Sequence, residues 1–348
     1  MLETNTFVSI VITTFNEDEY LDSLLDDISQ QELKGIVLEI VLLEAGDYSR
    51  QRALQHLGKL GNCLNFIHIP NLSRTRSLNK LFKVARGELI IRLDGRSHIK
   101  PNYIQQIVEL SSRTGAENVG GVMAPIGKTP SQKLIADVMK HPFSFGGAKF
   151  RSLSYSGLVD SVYLGAFRRH HCKFGYSWFD EVHPGISEDS DLNYRIRKSG
   201  GRVYMDSSIV VEYFPRENLK RFFKLCFNFG VGRGLFIWKH RDVAATRQLV
   251  PVLAFFLAFG LSVVGFWVPI CHQLLLFLVL IYIILLTLSA LSLRKTFLFT
   301  LKGLVGFLGC HFYYTLGLLV SLHHYLRDIK KYREEYQAEP VLKEDFPE

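Results

Sequence analysis

Five groups of residues in this chain have the types and spacing to do chemistry. Asn16-Glu17 follows one apolar run, Glu44-Ala45-Gly46-Asp47 follows a second, and Asp94-Gly95-Arg96-Ser97-His98 follows a third. Further on, Glu188-Asp189-Ser190-Asp191 comes shortly after Phe179-Asp180-Glu181, placing five acids within twelve residues. Arg233 stands alone in Gly230-Val231-Gly232-Arg233-Gly234. An acid at the carboxyl end of a buried strand, with a His four residues on, has the oxygen and imidazole donors that a divalent cation takes. The same acid can instead only cap a turn before a helix at Pro101. The later acids suit proton transfer, or complement the dipole at a helix N-terminus.

These residues need a scaffold, and the pattern around them supplies one. Phe7–Thr13, Leu38–Leu43, Leu64–Ile69 and Leu89–Leu93 read as buried strands. Leu21, Leu24, Leu25 and Ile28 recur at helical spacing, and Arg76–Ala85 reads as a helix closed near Gly87. The alternation β-α-β-α-β-α-β predicts an α/β domain with a mainly parallel sheet. All three acidic loops then fall on its carboxyl edge, where open α/β sheets bind ligands. No Gly-x-Gly-x-x-Gly follows the first strand, which disfavours a dinucleotide site. Gly230–Gly234 follows a helical pattern, not a strand, and is no Rossmann loop.

Beyond Glu117 the pattern loosens. Val119–Met123 and Ser161–Phe167 are expected strands, separated by a loop-rich stretch with Pro125, Pro130, Pro142 and Gly146-Gly147. After a Pro184-Gly185 turn, Ser187 or Ser190 is placed to cap a helix through Leu192, Tyr194 and Ile196, ended by Gly200-Gly201. Asn218–Phe229 is amphipathic, with Leu219, Phe222, Phe223, Cys226 and Phe227 on one face and Lys220, Arg221, Lys224 and Asn228 opposite. It suits a membrane interface or packing on the globular domain.

From Leu249 to Leu322 the chain of 348 residues carries no acid. Leu249–Val268, Leu274–Leu291 and Gly303–Leu322 are uncharged runs of about 18–20 residues, each long enough to cross a bilayer core of about 30 Å. The net charge of +8 lies almost wholly before them, much of it on Lys220, Arg221, Lys224, Arg233, Lys239, Arg241 and Arg247. Basic residues flanking a span mark the cytoplasmic side and attract anionic lipid rather than nucleic acid. Three spans are the favoured reading and would put the tail outside; the alternative, favoured by Arg327, Lys330, Lys331 and Arg333, is a tail inside with 297–322 re-entrant or interfacial. The charged tail 323–348 reads as partly disordered. The first 20 residues show no signal peptide. The five Cys have no zinc or CxxC spacing and read as free thiols.

Taken together, Val8–Glu17, Arg92-Leu93-Asp94-Gly95, Val119–Val122, Thr129-Pro130, Pro142-Phe143 with Gly146-Gly147, Val162–Arg169, Glu188-Asp189 with Leu192–Arg195, and Gly230–Arg233 resemble family 2 glycosyltransferases. The likeness is nearest to the membrane-bound exopolysaccharide, succinoglycan-type group. It implies a GT-A catalytic domain over 1–216, basic interfacial helices over 217–248, a membrane region over 249–322 (segments 249–268, 274–291 and 297–322) and a tail over 323–348. It implies an inverting transferase that moves sugar from a nucleotide-sugar, in most members uridine-linked, to a polyprenyl-linked saccharide. The location implied is the inner (plasma) membrane, multi-pass, with a cytoplasmic catalytic domain.

Residue by residue, the resemblance puts donor contacts on Thr14, Asn16, Glu17, Glu44, Arg74, Asp94, Arg96 and Arg233. Asp189 is the implied base, beside Glu188. The family's Asp-x-Asp metal motif reads Asp94-Gly95-Arg96 here. A Mg2+ or Mn2+ would sit on Asp94, and either His98 supplies another ligand or Arg96 replaces part of the cation's charge. Two other readings are transfer to a bare polyprenyl phosphate and a catalytically decayed membrane scaffold.

Overall fold

A computed structural model describes residues 5–147, 151–169, 178–181, 187–243, 246–293 and 295–337; side chains are described as far as residue 328. The Pro184-Gly185 turn, Cys172 and Arg294 lie outside the described residues. The chain divides into two compact units. One holds Met1–Ala124 and Lys149–Phe214; the other holds Pro125–Ala148 and Pro215–Ile329. The sequence reading kept 125–148 within a continuous 1–216 domain. In the structure this stretch groups with the apolar helices.

The first unit is a nine-stranded mixed sheet. Strands β1 (Thr6–Thr14), β2 (Ile36–Glu44), β3 (Leu64–His68) and β4 (Leu89–Asp94) are parallel, in the order β3-β2-β1-β4. Their near-continuous Val, Ile and Leu runs suit strands covered on both faces. In β1, Val8, Ile10 and Ile12 enter one core with Leu21, Leu24 and Leu25 of α1 (Asp18–Ser29), and Val11 enters the other with Leu78 and Leu81 of α3 (Arg74–Val84). The remaining half of the sheet is antiparallel, so the parallel core expected from sequence is one half of a mixed GT-A-type sheet. Here β6 (Asn118–Pro125), β8 (Tyr163–Arg168) and β9 (Val203–Tyr213) extend it, with the short β5 (Ser97–His98) and β7 (Gly157–Leu158) at β9. Helices α2 (Arg50–Leu57), α4 (Tyr103–Thr114) and α7 (Glu188–Lys198) complete the layers.

The second unit is helical. Helix α5 (Pro130–Lys140) starts with a capping box between Thr129 and Gln132. A single turn, α6 (Pro142–Phe145), follows. Helix α8 (Leu219–His240) is capped by Asn218, which accepts from the Arg221 amide at 2.9 Å, and runs eleven residues beyond the predicted Phe229. It passes straight through the glycine-rich Gly230–Gly234. A Cβ at Gly230 would collide with the backbone at Tyr314, and one at Gly234 with Ser321, so the missing side chains are what lets this helix approach its neighbour. That neighbour is α11 (Phe297–Gln337), which is still helical where composition reads as disordered. Between them in sequence lie α9 (Val250–Val264) and α10 (Pro269–Ser292). The three helical stretches Thr246–Val264, Pro269–Ser292 and Phe297–Asp328 are each long and apolar enough to cross a membrane.

Candidate active site

The sheet register gathers the first candidates. Thr14 pairs with Glu44, and Thr13 with Asp94, so the ends of β1, β2 and β4 form one edge. Beyond β1, Asn16 takes a left-handed backbone (φ 52°). The Asn16 side chain lies over Gly46, where a Cβ would collide with it. Glu17 reaches across to the next loop: Arg96 Nε donates to Glu17 Oε1 at 2.7 Å, and the Arg96 guanidinium stacks 4.4 Å from the Tyr20 ring. A Cβ on Gly95 would sit 3.2 Å from Glu17 Oε2 and 3.6 Å from Thr14 Oγ1, so these three residues share one small space.

Glu44 is fully buried at the end of β2. Its Oε1 accepts from the Gly46 amide, while Oε2 has no hydrogen-bond partner among the described residues. Burial is the largest influence on this carboxyl. Helped by the charge of Asp18, it outweighs the Gly46 and Asn16 amides and His68 and raises the pKa to about 7.

Asp94 sits in a network of four charges. Arg74 Nη2 donates to Asp94 Oδ1 at 2.7 Å and Arg74 Nε to Glu188 Oε1 at 3.0 Å. Arg92 Nη2 donates to the same Glu188 oxygen at 2.7 Å, and Arg92 Nε lies 3.6 Å from Asp94 Oδ1. Burial pushes both acids up, but Arg74 and Arg92 outweigh it and hold both carboxyls below their ordinary range. Two acids and two arginines thus neutralise one another, with Arg92 also 5.7 Å from the Phe179 ring. Glu188 is 3% exposed and committed to both guanidiniums, which suits it to positioning them rather than to taking a proton.

Asp189, the next residue, is half-buried in the first turn of α7; its Oδ1 accepts from the Ser190 amide at 2.8 Å. Asp191 is fully buried and paired with Arg195 at 3.0 Å. His98 is held elsewhere. Its Nδ1 is 2.6 Å from Asp27 Oδ2 on α1, an oxygen that also accepts from the Ile99 amide at 3.1 Å. Arg233 belongs to the second unit, on α8, with its guanidinium 5.6 Å from the Phe236 ring.

Two residues at this edge were not assigned from sequence. Arg92 is a charge inside a buried strand, a signal visible beforehand because such a charge needs partners. Tyr163 was invisible. It precedes Leu164, whose φ of 48° marks local strain, beside an irregularity where β6 pairs with β8. Its ring lies 6.1 Å from that of Tyr213. Its buried hydroxyl makes no well-formed hydrogen bond among the described residues, and burial, with Asp94 nearby, drives its pKa well up. The phenol stays protonated and able to donate.

The donor set tests what cation this edge would accept. Among the described residues no three His, Cys, Asp or Glu side chains cluster to hold a metal. Asp94 is the one acid of its loop, and both guanidinium contacts fall on its Oδ1. The residues fit a cation of the kind bound through one carboxylate and completed by substrate phosphates, as Mg2+ commonly is.

Known proteins share this architecture. The family model for Glycosyl transferase family 2 matches residues 9–174. The succinoglycan biosynthesis protein ExoA of Rhizobium meliloti is 25% identical over 281 residues, 77% of this chain and 84% of its own length. A dolichyl N-acetyl-alpha-D-glucosaminyl phosphate 3-beta-D-2,3-diacetamido-2,3-dideoxy-beta-D-glucuronosyltransferase of Methanococcus voltae is 24% identical over 241 residues, 67% of this chain and 74% of its own. In fold, the chain is similar to a mannosyltransferase of Pyrobaculum calidifontis solved with GDP-Man and Mn2+. The TM-score is 0.57 at 15% identity, covering 90% of this chain and 86% of that one. Residues 9–174 thus match the family 2 glycosyltransferase model, the fold is of GT-A type, and the chain is a glycosyltransferase.

Proposed function

We propose that this glycosyltransferase moves a sugar, with inversion, from a nucleotide-sugar, most consistently a uridine one, to a polyprenyl-linked saccharide during cell-surface polysaccharide assembly. The observation that carries the reading is the set of buried polar atoms left over at the sheet edge. Thr14 Oγ1 and Glu44 Oε2 are buried without a hydrogen-bond partner among the described residues, and the buried Arg92 Nε and Tyr163 Oη have only loose contacts, with Asp94 and Ser97. Native proteins seldom leave such groups unpaired or loosely held, and a polar ligand explains four on one edge. The lipid-linked acceptor draws support from the dolichyl-linked substrate in the Methanococcus relative's name and from the apolar helices on the same chain.

Each residue then has a role. Thr14, Asn16, Glu17 and Glu44 hold the nucleoside, and Arg74 and Arg96 face the diphosphate, whose negative charge grows as it leaves. Asp94 would hold Mg2+ or Mn2+, which when bound supplies positive charge to the leaving diphosphate. Asp189 takes the proton of the acceptor hydroxyl. Arg233 remains a proposed phosphate clamp. The proposed location is the inner (plasma) membrane, with the basic residues before α9 favouring a cytoplasmic catalytic domain.

The test is incubation of the purified chain with a nucleotide-sugar panel and either lipid-linked saccharides or bare polyprenyl phosphate. Mass spectrometry should show one added sugar on the saccharide lipid, and NMR should show the anomeric configuration opposite to the donor's. Transfer only to the bare phosphate would establish the different acceptor class. Absence of both transfer and nucleotide-sugar hydrolysis would leave a decayed scaffold.

A further inference from the structure

The three apolar helices are not packed alike. In α9 only Val252 is buried, and in α10 only Leu286, Ser289 and Ala290, all within its last two turns. Apart from those turns, the two helices offer large apolar side chains to their surroundings along their length, and Phe266 and Trp267 between them are 78% and 77% exposed. A Trp at the end of an apolar helix pair suits the head-group layer.

Among the described residues, helix α11 meets this pair just before α9 begins and along the carboxyl-terminal half of α10. Tyr314 Oη donates to Gln248 O at 3.1 Å, just before α9 begins. Tyr282 of α10 lies 3.1 Å from His311, and Gly303 faces Leu293 at the end of α10. Beyond His311 the companion of α11 is α8. Phe223 stacks on Tyr313 with ring centroids 5.2 Å apart, Gly230 meets Tyr314 and Leu318, and Trp238 Nε1 donates to Ser321 Oγ at 3.1 Å. The two helices therefore run side by side in the same direction over about five turns.

This companionship bears on whether α11 crosses. A transmembrane α11 would take α8 across with it, and α8 carries Lys220, Arg221 and Lys224 on its exposed side. Exposed lysine and arginine are strongly disfavoured within hydrocarbon. As a pair, however, the helices are amphipathic. Leu301, Val305, Leu308, Phe312 and Leu316 form one exposed apolar stripe along α11, while α8 supplies the basic face. Such a surface suits the boundary of a bilayer bearing anionic lipid.

We propose that α9 and α10 alone cross the bilayer, as a helical hairpin, while α8 and α11 lie paired in the interface at the face where the hairpin enters and leaves. The partner of the α11 stripe is the acyl region of that monolayer, and the partner of the α8 basic face is its head groups. The tail after α11 then stays on the same side as the glycosyltransferase domain. The proposal rests on reading these helices as membrane helices.

Side-specific reporters joined before Met1, after Trp267 and after Glu348 of the full chain test it, backed by protease protection of a carboxyl-terminal epitope in sealed and inverted vesicles. The expected result places both ends on one side and Trp267 on the other, with the epitope cleaved in the same vesicles that expose the amino-terminal domain. A tail on the side of Trp267 would overturn the proposal and establish a third crossing. Trp267 on the side of both ends would overturn the membrane hairpin as well. Neither outcome alters the transfer assay, so failure here is distinct from failure of the proposed reaction.

Discussion

Arg92 and Glu188, 96 residues apart in sequence, meet at 2.7 Å in the interior, Arg92 on β4 and Glu188 at the first turn of α7. The contact ties the strand that ends in Asp94 to the helix that carries Asp189. Removing one partner of a buried ion pair leaves the other charge uncompensated, at a cost of about 3–5 kcal/mol. Glu188→Ala should therefore lower the thermal midpoint sharply. Glu188→Gln keeps an acceptor for the arginines and should cost less. Thermal unfolding of the detergent-solubilised chain checks the order; equal loss in both variants would show that charge alone matters at this site.

Glu44 predicts a pH dependence. Its folded pKa, about 7, lies above the ordinary glutamate value of 4.5, so between these values the folded chain holds a proton that the unfolded chain has released. Stability thus falls as pH rises through this window, by an amount on the order of 1–3 kcal/mol. Glu44→Gln should flatten that part of the stability profile. If the ionised carboxylate also accepts from a nucleobase N–H, donor affinity should weaken below pH 7 in the native chain and lose this dependence in Glu44→Gln. Titration calorimetry with nucleoside diphosphate across pH 5.5–8 reads this directly.

Asp94→Asn keeps an acceptor for Arg74 but removes the charge available to a cation. Donor binding and turnover should both fall, and the response to added Mn2+ should weaken. His98→Ala should leave the metal response unchanged, because His98 is engaged with Asp27. A metal response lost in His98→Ala but kept in Asp94→Asn would reverse the assignment.

Tyr163→Phe deletes one buried hydroxyl that lacks a well-formed hydrogen bond. Stability should change little, since no good protein hydrogen bond is broken. Turnover should drop by roughly 2–10-fold if the phenol donates to the bound donor, the equivalent of one neutral hydrogen bond. An unchanged rate with raised stability would make the unsatisfied hydroxyl merely a cost of the strained turn at Leu164.

Much of the sheet edge was legible because its determinants are local. The runs ending at Thr14, Glu44 and Asp94 are contiguous, apolar and followed by turn residues, and parallel pairing then aligns their ends. Strand β9 escaped notice because Val203–Tyr213 mixes Asp206, Ser207 and Ser208 among its apolar residues and lies partly exposed. The pairing of His98 with Asp27 spans 71 residues and leaves no trace in spacing. The same holds for Tyr163, whose place depends on the Leu164 backbone. The end of α8 was misjudged for a different reason. Glycines that weaken an isolated helix are favourable where they let α8 touch α11, and that benefit exists only after packing.

Asp189→Asn is the most direct test of the proposed chemistry. It preserves size, and Asn can still accept from the Ser190 amide, so the fold and donor binding should hold. Loss of a positioned base lowers rate by about 10²–10⁴-fold. The decisive measurement is single-turnover sugar transfer by purified Asp189→Asn beside its nucleotide affinity. If Asp189 is the base, transfer falls by at least a hundredfold with affinity nearly unchanged. Transfer at close to the native rate would contradict the assignment and leave Asp189 with only a structural role at the start of α7.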